Sequence, residues 1–190
     1  MKQLLKRGLR MIFDDYELNR IYYVDLDTTS AGKGGATSDG TVIRRLESPR
    51  EYASSPDGRI RDHAWYYHQY AQAYGLFEGD ALMCVCCFWT KGHPQMPQRF
   101  SSLEHSEAVM VDLLTAPQSR SKGYALAVTR FAERDLRSRG YTKLWTWVWH
   151  SNAASIRVFT KAGWSYSHFL AEFRVRGRAN HWRLRLPMVG

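Results

Sequence analysis

The feature that most constrains this chain is an alternation of strand and helix patterns over residues 107–162. Residues 107–115 form an apolar run of strand length. Residues 123–139 then repeat apolar side chains at helical spacing, so that Val128, Phe131, Ala132 and Leu136 share one face. Gly140 supplies the left-handed position that ends such a helix, and Glu133 and Arg137 are spaced to pair one turn apart. Residues 143–150 read as a second strand, and 152–162 as a second helix stopped by Gly163. A β-α-β-α series of this kind belongs to α/β architectures.

The turn between the first strand and helix carries chemistry of its own. Residues 115–125, Thr-Ala-Pro-Gln-Ser-Arg-Ser-Lys-Gly-Tyr-Ala, present successive backbone amides at a helix start, with Arg120 and Lys122 beside them. Such a loop suits a polyphosphate, because free N–H groups and the helix dipole both favour negative charge.

Around this series the pattern is less regular. Residues 20–26 read as a strand, 27–40 as a Gly/Ser/Thr loop, and 41–46 as a strand, placing a boundary near residue 40. A helix is expected over 62–74, rich in tyrosine and histidine. A hairpin turning at Gly79-Asp80 follows, with 81–89 as its second strand. Residues 90–104, with Pro94 and Pro97, form a loop, and 165–175 and 181–186 read as closing strands. The first thirteen residues interleave basic and apolar side chains, which fits a short helix packed on the domain and not a secretion leader.

At 190 residues and 44% hydrophobic, the chain can build one well-packed core. Its net charge of +9 points to an acidic ligand, nucleic acid or membrane headgroups as partners. No run reaches the roughly 18 apolar residues that span a bilayer. Cys84, Cys86 and Cys87 lie in one apolar run, with neither disulfide nor zinc spacing; they read as buried thiols of a cytoplasmic protein, and no metal is expected.

Arg120-Ser-Lys-Gly123-Tyr-Ala125, preceded by Pro117, resembles the R/Q-x-x-G-x-G/A signature of the GNAT superfamily of acyl-CoA-dependent N-acyltransferases. Asn152, Ser155, Phe159, Lys161, Gly163 and Trp164 resemble that family's second block, in the right order and separated by a helix and a strand. The resemblance spans roughly residues 41–187. It implies a mixed, mostly antiparallel central sheet flanked by helices, with a splayed central strand pair holding acyl-CoA. Residues 1–40 then form an N-terminal extension of short helix, strand and flexible loop.

The same resemblance implies an acetyltransferase that uses acetyl-CoA and a primary amine without metal. Amides of Arg120, Ser121, Lys122, Gly123, Tyr124 and Ala125 would bind the diphosphate, and Gly123 would admit it without a side chain. Leu113, Leu114 and Thr115 would pair with the pantetheine arm like an added strand, and one amide there would polarise the thioester carbonyl. Asn152 would steady the arm or cap its helix. For the general base, Glu107 and Asp112 compete; a regular strand puts them on opposite faces, and spacing within the family favours Glu107. Phe159 stands where the family often has a proton-returning tyrosine, leaving Tyr124, Tyr166 or water for that task.

The acceptor is less constrained. Trp145, Trp147 and Trp149 share a strand face, either as core against a helix or as a stacking wall, and His150 at the strand end is an alternative base. The amine could belong to a small molecule, a sugar or a peptide, and a homodimer is compatible with the family. Two other classes stay open: a catalytically silent acyl-CoA-binding module, prompted by Phe159, and a basic nucleic-acid-binding protein, prompted by the charge. Neither a nucleic-acid motif nor a membrane span supports partners of those kinds.

Overall fold

The computed structural model describes residues 13–27, 40–175 and 181–187. Its strands are β1 (Phe13–Asp25), β2 (Thr41–Arg45), β3 (Ala71–Glu78), β4 (Ala81–Thr90), β5 (Glu107–Thr115), β6 (Lys143–Trp149), β7 (Ser165–Val175) and β8 (His181–Leu186). Its helices are α1 (Gly58–Asp62), α2 (Tyr124–Ser138) and α3 (Ala153–Ala162). The strands form one sheet in the order β2-β3-β4-β5-β6-β1-β7-β8. Neighbours run antiparallel except β5 and β6, which are parallel from Glu107↔Lys143 to Met110↔Thr146. This is the mixed, mostly antiparallel sheet that the sequence led us to expect.

Residues before position 40 are part of that sheet. β1 lies between β6 and β7, with Tyr22 opposite Thr146 on one side and Tyr166 on the other. The helix read over residues 1–13 and most of the loop read over 27–40 lie outside the described residues.

The two faces of the sheet are covered differently. α2 and α3 pack on one face: Val128, Ala132 and Leu136 are buried, the Phe131 ring meets Tyr74 at 6.1 Å, and Phe159 stacks on Tyr22 at 6.3 Å. Glu133, expected on the helix surface, is buried on this side and accepts a hydrogen bond from the Trp164 indole, joining the two helices. The opposite face carries short turns. These are 3-10 helices at Pro49–Ser54 and His63–Tyr66, α1 between them, and the loop of residues 91–106. The first is fixed by a capping box, in which Ser48 accepts from the Arg50 N–H and Glu51 accepts from the Ser48 N–H.

Two expectations are corrected here. The helix over 62–74 is instead the tail of α1, one 3-10 turn and the start of β3. Tyrosine, tryptophan and histidine are weak helix formers, and residues 71–77 are buried almost throughout between β2 and β4, which favours a strand over an amphipathic helix. The second concerns Trp145, Trp147 and Trp149, which lie on the face away from α2 and α3. They face the turn layer, where Phe100 lies 5.7 Å from Trp147 and the Arg99 guanidinium stands 5.2 Å above its ring. Arg99 also bridges Glu17 of β1 (2.6 Å) and Glu172 of β7 (2.8 Å), tying the 91–106 loop to the sheet.

Candidate active site

The parallel pair opens at its C-terminal end. Beyond Met110 and Thr146 the two strands no longer pair, although β5 continues to Thr115 and β6 to Trp149. The fork is held by Thr146, whose hydroxyl donates to the Met110 carbonyl at 3.0 Å. From Val111 onward β5 therefore has one edge on β4 and the other facing a wedge. Leu113, Leu114 and Thr115 lie along this edge, half-buried, with the Thr115 hydroxyl 3.2 Å from the Cys84 sulfur.

A bulge beside the fork changes which side chains share a face. Cys87 pairs with Asp112 and Phe88 with Met110, so Val111 is an extra residue on β5. The extra residue shifts the alternation by one and brings Asp112 to the face of Val109 and Glu107. Regular alternation had put Asp112 opposite Glu107, and that expectation is overturned by the bulge.

The two carboxylates nevertheless occupy different places. Glu107 sits where the paired part of β5 begins, away from the wedge, and its Oε2 accepts the Glu104 N–H at 3.1 Å, closing a turn. Asp112 is two residues past the fork, and its carboxylate is 9% exposed. Its Oδ2 lies 3.0 Å from His63 Nδ1, on the 3-10 turn that covers this face. Burial pushes the Asp112 carboxyl above the usual aspartate range, while His63 and the Leu113 amide pull it back. The expected helix over 62–74 hid His63 from sequence reasoning. Only the long-range pairing across 49 residues reveals it.

At the outer end of β5, residues 116–123 turn into α2. Gly123 is the N-cap residue at φ +82°, with no side-chain cap, and a Cβ added there would meet nothing within 4 Å. The first backbone bond of the helix runs from the Ala127 N–H to the Gly123 carbonyl, and the N–H groups of residues 121–126 find no acceptor among the described residues. Free donors at an uncapped helix start attract anions. Arg120 and Ser121 are exposed beside it. Lys122 Nζ instead reaches Glu78 Oε1 of β3 at 3.0 Å, and the Tyr124 hydroxyl donates to the same oxygen.

The remaining expected site residues belong to other elements. Asn152 caps α3, its side chain accepting the Ser155 N–H at 3.2 Å. The Phe159 ring is buried against Tyr22 and Trp164. Tyr166 is on β7, 5.7 Å from Tyr22 on the helix-covered face. It is separated from β5 by β6 and β1, three strand spacings of about 4.8 Å each. The structure thus brings Asp112 and His63 together and leaves Tyr166 and Glu107 apart from them. His150 lies between Trp149 and Phe169, with Nδ1 buried and unpaired. Burial drives the thiols of Cys84, Cys86 and Cys87 upward, Cys84 to about 12, so all three are neutral near pH 7. Among the described residues, no group of His, Cys, Asp or Glu could hold a metal, and no helix is long and apolar enough to cross a membrane.

An open strand edge leading into a set of free amides fits a ligand with an extended amide-bearing arm and a diphosphate. The residues present therefore suit an acyl-CoA. Residues 41–164 match the family model for the acetyltransferase (GNAT) family. The chain belongs to the GNAT family. Acetyl transfer is the chemistry that names this family. A mycothiol acetyltransferase of Saccharomonospora viridis is 34% identical over 93 residues, 49% of this chain and 30% of that protein. The chain thus spans less than a third of that relative. Solved GNAT folds include a GCN5-related N-acetyltransferase from Kribbella flavida (TM-score 0.55, 10% identity, covering 93% of this chain and 60% of that one). Another is the ribosomal-protein-S18-alanine N-acetyltransferase of Escherichia coli (TM-score 0.50, 18% identity, covering 79% and 96%). At these identities the likeness is one of fold.

Proposed function

We propose that this GNAT protein moves an acetyl group from acetyl-CoA to a primary amine by direct attack within a ternary complex. The observation that carries the reading is the free edge of β5, which runs from the fork into the unpaired amides of residues 121–126. When bound, acetyl-CoA supplies an activated thioester.

The loop amides and the dipole of α2 hold the diphosphate, with Arg120 and Lys122 adding positive charge. Leu113, Leu114 and Thr115 receive the arm through backbone hydrogen bonds, and Asn152 steadies it from across the wedge. A β5 amide near the fork donates to the thioester carbonyl, an interaction worth about 3 kcal/mol when it strengthens in the transition state. Of the two carboxylates, Asp112 suits a part in proton removal, directly or through a neighbour, because it lies past the fork whereas Glu107 closes a turn. The Phe159 ring is buried against Tyr22 and donates no proton, Tyr166 packs on that same Tyr22 three strands from β5, and the Tyr124 hydroxyl donates to Glu78, so water returns a proton to the departing sulfur. The likeness to a mycothiol acetyltransferase favours a small-molecule acceptor over a peptide. Three neutral, unpaired cysteines suit a reducing cytoplasm.

The test is paired: thermal stabilisation by acetyl-CoA, and CoA release with a panel of small amines, amino sugars and peptides. Both are expected. Stabilisation without release from any amine would assign a silent acyl-CoA-binding module. Absence of stabilisation, with salt-sensitive retention on DNA or RNA, would favour the nucleic-acid reading.

A further inference from the structure

Resting on the acetyltransferase reading, we infer that His63 is the residue that takes the acceptor's proton, and that Asp112 acts through it as a positioning residue. The bulge at Val111 places Asp112 just past the fork, on the face free of α2 and α3. There the carboxylate is nearly enclosed, whereas the His63 side chain is 31% exposed. An acceptor arriving from solvent meets the imidazole before the carboxylate.

The hydrogen bond sets the imidazole's chemistry. A carboxylate 3.0 Å from Nδ1 selects the tautomer with the proton on Nδ1, which leaves the lone pair on Nε2. For that nitrogen the described residues provide no hydrogen-bond partner. The turn carrying His63 is anchored: its ring lies 5.1 Å from Tyr66, and the Tyr66 carbonyl accepts from Trp89 Nε1 (3.3 Å) and Cys87 Sγ (3.6 Å) of β4. A base fixed by its neighbours loses little freedom when it meets the amine.

The step balances as follows. Nε2 takes one proton from the acceptor ammonium, and the freed lone pair on nitrogen bonds to the acetyl carbon as the carbon–sulfur bond breaks. The nitrogen's second surplus proton passes through water to the departing CoA thiolate. His63 then releases its own proton to solvent.

Three variants test this: His63→Ala, Asp112→Asn and the double variant. Each is first checked for retained acetyl-CoA stabilisation, which shows an intact fold and cofactor site. His63→Ala should lower kcat about a hundredfold or more without raising the KM for acetyl-CoA, and added imidazole should restore part of the rate. Asp112→Asn should lower kcat less, and the double variant should be no slower than His63→Ala, because the two residues act as one unit. Turnover of His63→Ala within threefold of the parent, unmoved by imidazole, would overturn the inference while leaving the acetyltransferase reading intact. If no amine in the panel is turned over, the His63 ring resonances decide. Acetyl-CoA binding should shift the Nε2 signal in the parent protein, and an unchanged signal overturns the assignment.

Discussion

The two sides of the wedge are built in different ways. The proposed cofactor side is local: the β5 edge, the loop of residues 116–123 and the first turn of α2 follow one another in sequence, and what they offer is backbone groups. The proposed acceptor side is dispersed. It joins Asp112 of β5 to His63, 49 residues away, and its tryptophans to a loop pinned by Arg99 between β1 and β7. Backbone sites tolerate changes of side chain but not of backbone freedom, whereas dispersed sites fail one side chain at a time.

The sharpest way to break the comparison is Gly123→Asp. It adds bulk and negative charge beside the unpaired amides of residues 121–126, at a φ that favours glycine, and should abolish stabilisation by acetyl-CoA in a thermal-shift assay. The folding transition should persist; if acetyl-CoA still stabilises the variant, the cofactor side is elsewhere.

Glu133 gives a smaller, pH-dependent effect. Burial raises its carboxyl to about 7 against an ordinary 4.5, with the Trp164 indole and the charges of Arg130 and Arg134 opposing. A carboxyl raised on folding favours the protonated native state. Its contribution is therefore most favourable below pH 4.5 and declines as pH rises to about 7, by up to roughly 3 kcal/mol. Glu133→Gln should flatten that part of the stability–pH curve and stabilise the protein above pH 7; an unchanged slope would show that the carboxyl titrates normally. On the dispersed side, Arg99→Ala removes the cation on Glu172 Oε2, while Arg183 stays 2.8 Å from Oε1. Chemical denaturation should show a loss of about 1–2 kcal/mol, less than the roughly 3 kcal/mol of a buried ion pair broken outright, because Arg183 still compensates the carboxylate. The smallest effect belongs to Lys122→Ala. The unfolding midpoint should not move, since the Glu78 pair is solvent-exposed, while acetyl-CoA binding should weaken at low salt and converge on the parent value at high salt.

The contrast also explains what the sequence could disclose. The α2 stripe of Val128, Ala132 and Leu136, the loop ending at Gly123, and the Gly79 hairpin are local patterns with periods or turn residues that mark them. The acceptor side depends on features without a period. One unpaired residue at Val111 reverses the facing of Asp112, and a run of tyrosine, tryptophan and histidine folds as a 3-10 turn before a strand. Glu133 likewise looks like a surface residue by spacing, and only the Trp164 ring, arriving from beyond α3, encloses it. Phe159 was visible as a departure from the family motif, but its packing partner Tyr22 belongs to the N-terminal strand, which the sequence placed outside the domain.

That strand has a consequence for how the protein is made. β1 ends at Asp25, yet both of its hydrogen-bonding neighbours, β6 from Lys143 and β7 from Ser165, are translated long after it. At elongation rates of about 5–20 residues per second, an apolar segment containing Ile21, Tyr22 and Val24 waits several seconds without a partner. Chaperone occupancy during translation should therefore begin at β1 and end when β7 leaves the exit tunnel.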